Sequence, residues 1–172
     1  MTGVPSLAMP TWPSALSHLF QLGIAYLLAL PIGWNRERED RSAGLRTFPI
    51  VAVAACGFAI LGTSMPGATS DSYSRILQGL ITGIGFIGGG AILHDKGTAT
   101  GMATAASIWS IGIVGAAVGF GQYHIAVALT LLNLLTFKLL TPLKRKLDAP
   151  TSGAIAAPRS AEDSVAGDRP RS

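Results

Sequence analysis

Five stretches of the chain are long and apolar, and short polar or charged connectors separate them. They run Leu16–Trp34, Thr47–Ser64, Ile76–Leu93, Thr100–Phe120 and Tyr123–Leu140. Each approaches the length of about 20 helical residues that crosses a hydrocarbon core. None carries the one-sided polar face of a soluble amphipathic helix, and none alternates with period two as a barrel strand does. Lipid offers no partner to an unpaired backbone N–H, so such stretches must be helical. The pattern predicts an all-α membrane protein, a bundle of five transmembrane helices.

The connectors give the bundle a direction. Arg36, Arg38, Arg41 and Arg46 lie in the first, Lys96 in the third, and Lys144, Arg145 and Lys146 after the last helix. Only Arg75 falls on the opposite side of a five-helix arrangement. Basic connectors stay in the cytoplasm, which puts the N-terminus outside and the C-terminus inside. Residues 1–15 then form a short external tail, residues 16–143 the membrane domain, and residues 144–172 a basic cytoplasmic tail. From Asp148 onward Ala, Pro, Ser, Gly and charge dominate, a composition that predicts disorder. The tail before the first stretch has no basic residue, and no small-x-small pattern follows at Pro31-Ile32-Gly33-Trp34. The first helix is therefore read as retained and not as a cleaved signal.

Composition agrees. The chain is 49% hydrophobic and 13% charged, against about 25% charged for a soluble domain. Its net charge of +4 does not point to nucleic acid, because no basic stripe interleaves with aromatics. Cys56 is the single cysteine, which excludes a disulfide framework or thiolate metal site.

Candidate chemistry concentrates in two places. The first connector, Gly33 to Thr47, holds four basic and three acidic residues, and alternating signs suggest internal Arg–carboxylate pairing or a partner surface. Glycine is the second signal, with 12 of 21 residues between Gly79 and Gly121. Gly79/Gly83, Gly85/Gly89 and Gly115/Gly119 each stand four apart, the spacing that lets helix backbones approach. Gly88-Gly89-Gly90 could also break its helix and line a cavity. Gln78, Thr82, Thr104, Ser107, Ser110, Asn133 and Thr136 are placed for hydrogen bonds between helices. No acid or arginine lies near the middle of a stretch, which argues against a proton relay or charged ion path. His94-Asp95, in a tight inner loop, lacks further metal ligands. No enzyme motif is visible, so no catalytic residue, cofactor or metal is expected.

Gly33-Trp34-Asn35-Arg36-Glu37-Arg38 with Ala43-Gly44-Leu45-Arg46-Thr47 resembles the first cytoplasmic signature of the MgtC/SapB family. Gln78-Gly79-Leu80-Ile81-Thr82-Gly83-Ile84-Gly85-Phe86-Ile87-Gly88-Gly89-Gly90 is similar to its glycine-rich third helix, and Thr104-Ala105-Ala106-Ser107-Ile108-Trp109 to its fourth. Asn35 stands where the family usually has an acid, and Phe48 where it often has His. The resemblance implies a multi-pass protein of the bacterial inner membrane and a role in adaptation to low magnesium. In intracellular pathogens it implies survival in macrophages. It favours a non-enzymatic regulator or interaction protein, with inhibition of the F-type ATP synthase as one mechanism proposed for the family. The alternative is a small transporter or channel for Mg2+ or another cation. The expected partners are the lipid bilayer and either another membrane protein or a second copy, met through small-residue helix faces. Candidate functional residues are Arg36, Glu37, Arg38, Gly44, Arg46, Thr47, Gln78, Gly83, Gly85, Gly89, Thr104, Ser107 and Trp109.

Overall fold

The computed structural model describes residues 12–38, 43–65, 69–95 and 98–147, with backbone alone at 93–95, 98–99 and 141–147. Expectations for Glu39, Asp40 and Arg41 and for the tail beyond Leu147 lie outside these residues. The described residues form five helices: α1 (Trp12–Glu37), α2 (Thr47–Ser64), α3 (Ser70–Gly90), α4 (Met102–Gly119) and α5 (Tyr123–Leu147). A small antiparallel hairpin, β1 (Leu93–Asp95) with β2 (Thr98–Thr100), joins α3 to α4 and pairs His94 with Ala99. It replaces the tight loop expected there.

Helix α4 is the centre of the packing. Ile108, Ile111, Val114 and Val118 are at most 1% exposed, and α4 touches each of the other four helices. Its partnership with α2 depends on glycine. A Cβ at Gly115 would overlap the carbonyl of Ala52, and one at Gly119 would overlap the carbonyl of Cys56 and the methyl of Ala59. The small-residue spacing read from the sequence is therefore used here as backbone contact. The end of α4 is built for a sharp reversal. Gly121 takes φ 73°, Gly121 N–H donates to the Val118 carbonyl at 2.9 Å, and Gln122 N–H donates to that of Ala117 at 2.7 Å. This is the left-handed glycine termination in which residues past the helix satisfy its last carbonyls.

Helices successive in the chain alternate in direction, so α2 and α4 run parallel, with Ala52 beside Gly115 and Cys56 beside Gly119. Gln21 Nε2 of α1 donates to the Val118 carbonyl of α4 at one end, while Arg36 reaches Ala103 at the other. Along α3, Tyr73 meets Phe120 edge-to-face at 6.5 Å, and Gly88 faces the Ala105 carbonyl. The end of α1, the start of α2, the end of α3 and the start of α4 thus share one end of the bundle.

Boundaries differ from the sequence expectation in instructive ways. Helix α1 continues past Pro31 through Trp34, Asn35, Arg36 and Glu37, so the first third of the expected connector is helical. Helix α3 starts upstream of its apolar run, where a reciprocal Thr69–Ser72 capping box supplies the N-terminus. It then runs unbroken through Gly88 and Gly89 to Gly90, so the glycine triplet terminates the helix and does not interrupt it. Among the described residues, four helices are long and apolar enough to cross a membrane, namely α1, α2, α4 and α5. Helix α3 falls short because Ser70, Asp71, Ser72, Ser74 and Arg75 fill its first turns. Its apolar part, Ile76–Gly90, rises only about 22 Å.

Two substitutions should separate glycines that pack within the chain from those that do not. Gly115→Leu is expected to lower stability by about 3 kcal/mol or more through overpacking. Gly85→Leu, with nothing within 4 Å of its Cβ position, should leave it within about 0.5 kcal/mol. Thermal unfolding of the detergent-solubilised protein, followed by helix circular dichroism, checks both.

Candidate functional site

Arg36 sits in the last turn of α1, where its charge complements the negative end of the helix dipole. It is 2% exposed. Its Nη2 donates to the Ala103 carbonyl and to Ser107 Oγ, each at 3.0 Å. Ser107 Oγ in turn donates to the Ala103 carbonyl at 2.6 Å. On its other side the guanidinium carbon lies 4.0 Å from the centre of the Phe137 ring of α5, a cation–π contact strengthened by desolvation. One side chain therefore ties the end of α1 to the start of α4 and to α5.

Glu37 does a different job one residue later. Its Oε2 accepts a hydrogen bond from Leu45 N–H at 3.1 Å, just ahead of α2, and negative charge there suits the helix N-terminus. Gly44 permits this arrangement. A Cβ at Gly44 would overlap the Glu37 carboxylate, and the Gly44 carbonyl accepts from Phe48 N–H at 3.1 Å to start α2. Gly33 leaves room for the returning chain, since a Cβ there would lie 3.2 Å from Leu45 Cα. The connector thus folds back on the helix that precedes it. Among the described residues, Arg36 meets a carbonyl, a hydroxyl and a ring, and the Glu37 carboxylate meets a backbone N–H; the expected Arg–carboxylate pairing involves Glu39, Asp40 and Arg41, which lie outside these residues.

The remaining expected site residues divide into groups. Thr104 is buried on α4 one turn before Ser107. Arg38 is exposed, with its guanidinium 5.3 Å from the Trp34 ring. Arg46 is exposed and precedes α2, while Thr47 is half-buried at its start. Gln78, Gly83, Gly85 and Gly89 lie on exposed positions of α3 and do not join the arginine cluster. Gly79 and Gly83 line an apolar groove of about 430 Å³ between α2 and α3, with Ile50, Phe58, Ile76 and Ile87 among its walls. Trp109 is 42% exposed. Ser110 and Asn133 do bond across α4 and α5, at 2.7 Å. Thr82 and Thr136 instead donate to carbonyls one turn back in their own helices.

Phe137 and the Ala103 carbonyl are the participants that sequence reasoning missed. An aromatic in an apolar helix carries no mark of what it touches, and a carbonyl acceptor is independent of residue type.

Comparison with known proteins now decides the family. The family model described as "MgtC family" matches residues 22–146. The chain belongs to the MgtC family. Among curated relatives, "Protein SrpB" of Synechococcus elongatus is 34% identical over 73% of this chain and 76% of its own length. "Protein MgtC" of Salmonella typhimurium is 34% identical over 76% of this chain and 55% of its own. "Protein MgtC" of Brucella abortus is 35% identical over 72% and 51%. The chain thus spans about half the length of the two MgtC proteins. No solved structure matches. The match takes in α1 from Leu22 and continues to Lys146, so the arginine cluster lies wholly inside the MgtC-family region.

Arg36→Ala removes two charge-assisted hydrogen bonds and the ring contact, and should destabilise by about 3 kcal/mol or more. Ser107→Ala, which leaves the Ala103 carbonyl in place, should cost about 1 kcal/mol. Gly44→Ala should displace the Glu37 carboxylate and also cost about 1 kcal/mol. Thermal unfolding of the three variants in detergent tests the ranking.

Proposed function

We propose that this MgtC-family chain is a non-enzymatic regulator or interaction protein of the bacterial inner membrane, linked to adaptation to low magnesium. The observation that carries this reading is the lodged guanidinium of Arg36 at the junction of α1, α4 and α5. A fixed positive charge at the mouth of a helix interface opposes the passage of cations. It suits an element that holds a surface in shape. The names of the Salmonella and Brucella relatives, "Protein MgtC", support the magnesium link. In this reading a membrane-protein partner or a second copy meets the chain through its exposed α3 face and connector.

The same reading takes α3 as the fifth span, with the N-terminus outside and the C-terminus inside. Its support is the level of α3 against α4: Tyr73 lies beside Phe120 and Gly88 beside Ala105, so α3 traverses nearly the thickness that α4 does. The basic connectors supply the direction.

Two measurements test the proposal. In proteoliposomes the purified chain should give no Mg2+ flux above empty vesicles; uptake that survives controls and is lost on Glu37→Ala would establish the transporter instead. With Cys56 replaced by alanine, a cysteine at Gln122 should react with an impermeant maleimide from outside intact spheroplasts, and one at Thr98 only after permeabilisation. The reverse pattern would overturn the orientation.

A further inference from the structure

The exposed stripe along α1 ends in an unusual way. Phe20, Leu27 and Trp34 stand seven residues apart, on one helix face, and are 68%, 64% and 54% exposed. Arg38 follows Trp34 by four residues on that same face, and its guanidinium lies over the indole at 5.3 Å. In a membrane-spanning α1 this face meets lipid. An indole belongs at the level of the headgroups, which puts the arginine just beyond it, at phosphate depth.

A second arginine stands close by. Glu37 Oε2 and Leu45 N–H are joined at 3.1 Å, so Arg38 and Arg46 each lie one residue along from a bonded pair. Arg46 is exposed at the start of α2. The carboxylate between them is committed to the Leu45 N–H and draws toward the backbone. Arg36 takes no part, since it is buried against α4 and α5.

We propose that Arg38 and Arg46, with Trp34 as the interfacial platform, form a docking surface for the headgroup of an anionic phospholipid. Charge complementarity selects an anion, and continuity with the lipid-facing stripe selects one that carries acyl chains over a free phosphate. The inference rests on α1 and α2 crossing the membrane, and does not depend on whether the chain regulates or transports.

Native mass spectrometry of the full chain, released from micelles with equal phosphatidylglycerol and phosphatidylcholine, tests it. The wild type should retain phosphatidylglycerol preferentially. Each of Arg38→Gln and Arg46→Gln should reduce that preference roughly fivefold, the effect of one basic residue at an anionic surface. Arg38→Lys with Arg46→Lys should restore most of it, and Arg75→Gln, at the other end, should not change it. Neutralising Glu39 and Asp40 should keep or raise the preference. Circular dichroism of each variant confirms that the helices are intact. Equal retention of the two lipids by the wild type, an unchanged preference in both glutamine variants, or displacement of lipid by millimolar glycerol phosphate would each overturn the proposal. Failure here with no Mg2+ flux in proteoliposomes would leave the regulatory reading standing.

Discussion

Everything in this bundle is arranged around the closeness of α4 to α2. In lipid the hydrophobic effect does little to press helices together, so van der Waals contact and shared polar groups must do so. At Gly115 and Gly119 the helices meet with no side chain on α4 between their backbones. That contact brings α4 into the centre, and α1, α3 and α5 then pack round it. The arginine cluster depends on this order, because Arg36 needs the first turns of α4 to be within its reach.

A buried arginine in such a setting has to be supplied with acceptors. Two of the observed partners, the Ala103 carbonyl and Ser107 Oγ, come from the start of α4, where the Ala103 carbonyl also accepts from Ser107. Another is the face of Phe137. The neighbouring Glu37 solves a separate problem, satisfying a backbone N–H ahead of α2. Opposite charges adjacent in sequence are therefore committed to different helices.

Much of the architecture was legible in hydropathy and charge. The positions of α2, α4 and α5 follow from their apolar runs, and the Gly115/Gly119 spacing announced a close helix pair. What was not legible has specific physical causes. Helix α1 absorbs Arg36 and Glu37 because tertiary partners accept these charges, which hydropathy alone would place in a loop. Helix α3 begins early because of a cap made by Thr69 and Ser72, a local hydrogen-bond signal that outweighs polarity. Equal glycine spacings had unequal fates, since Gly115 packs against Ala52 while Gly85 and Gly89 face open space. Spacing marks where an approach is possible, and only the fold decides whether a neighbour is there. For the site, Arg36, Glu37, Gly44 and Ser107 were identifiable from sequence, whereas Phe137 lies 101 positions from Arg36 and gave no signal.

The poverty of side chains on α3 bears on how the protein enters the membrane. Insertion of a helix is decided residue by residue as it leaves the translocation machinery, and glycine contributes little where leucine or isoleucine contributes much. With serines and two charges in its first turns, α3 is the segment least able to partition alone. Its buried residues Ile84 and Gly88 face α4, which is synthesised after it. Ile76, at the start of its apolar run, instead meets Gly62 of α2, a helix already made, so the partners that compensate for the weak hydrophobicity of α3 lie on both sides of it in the chain.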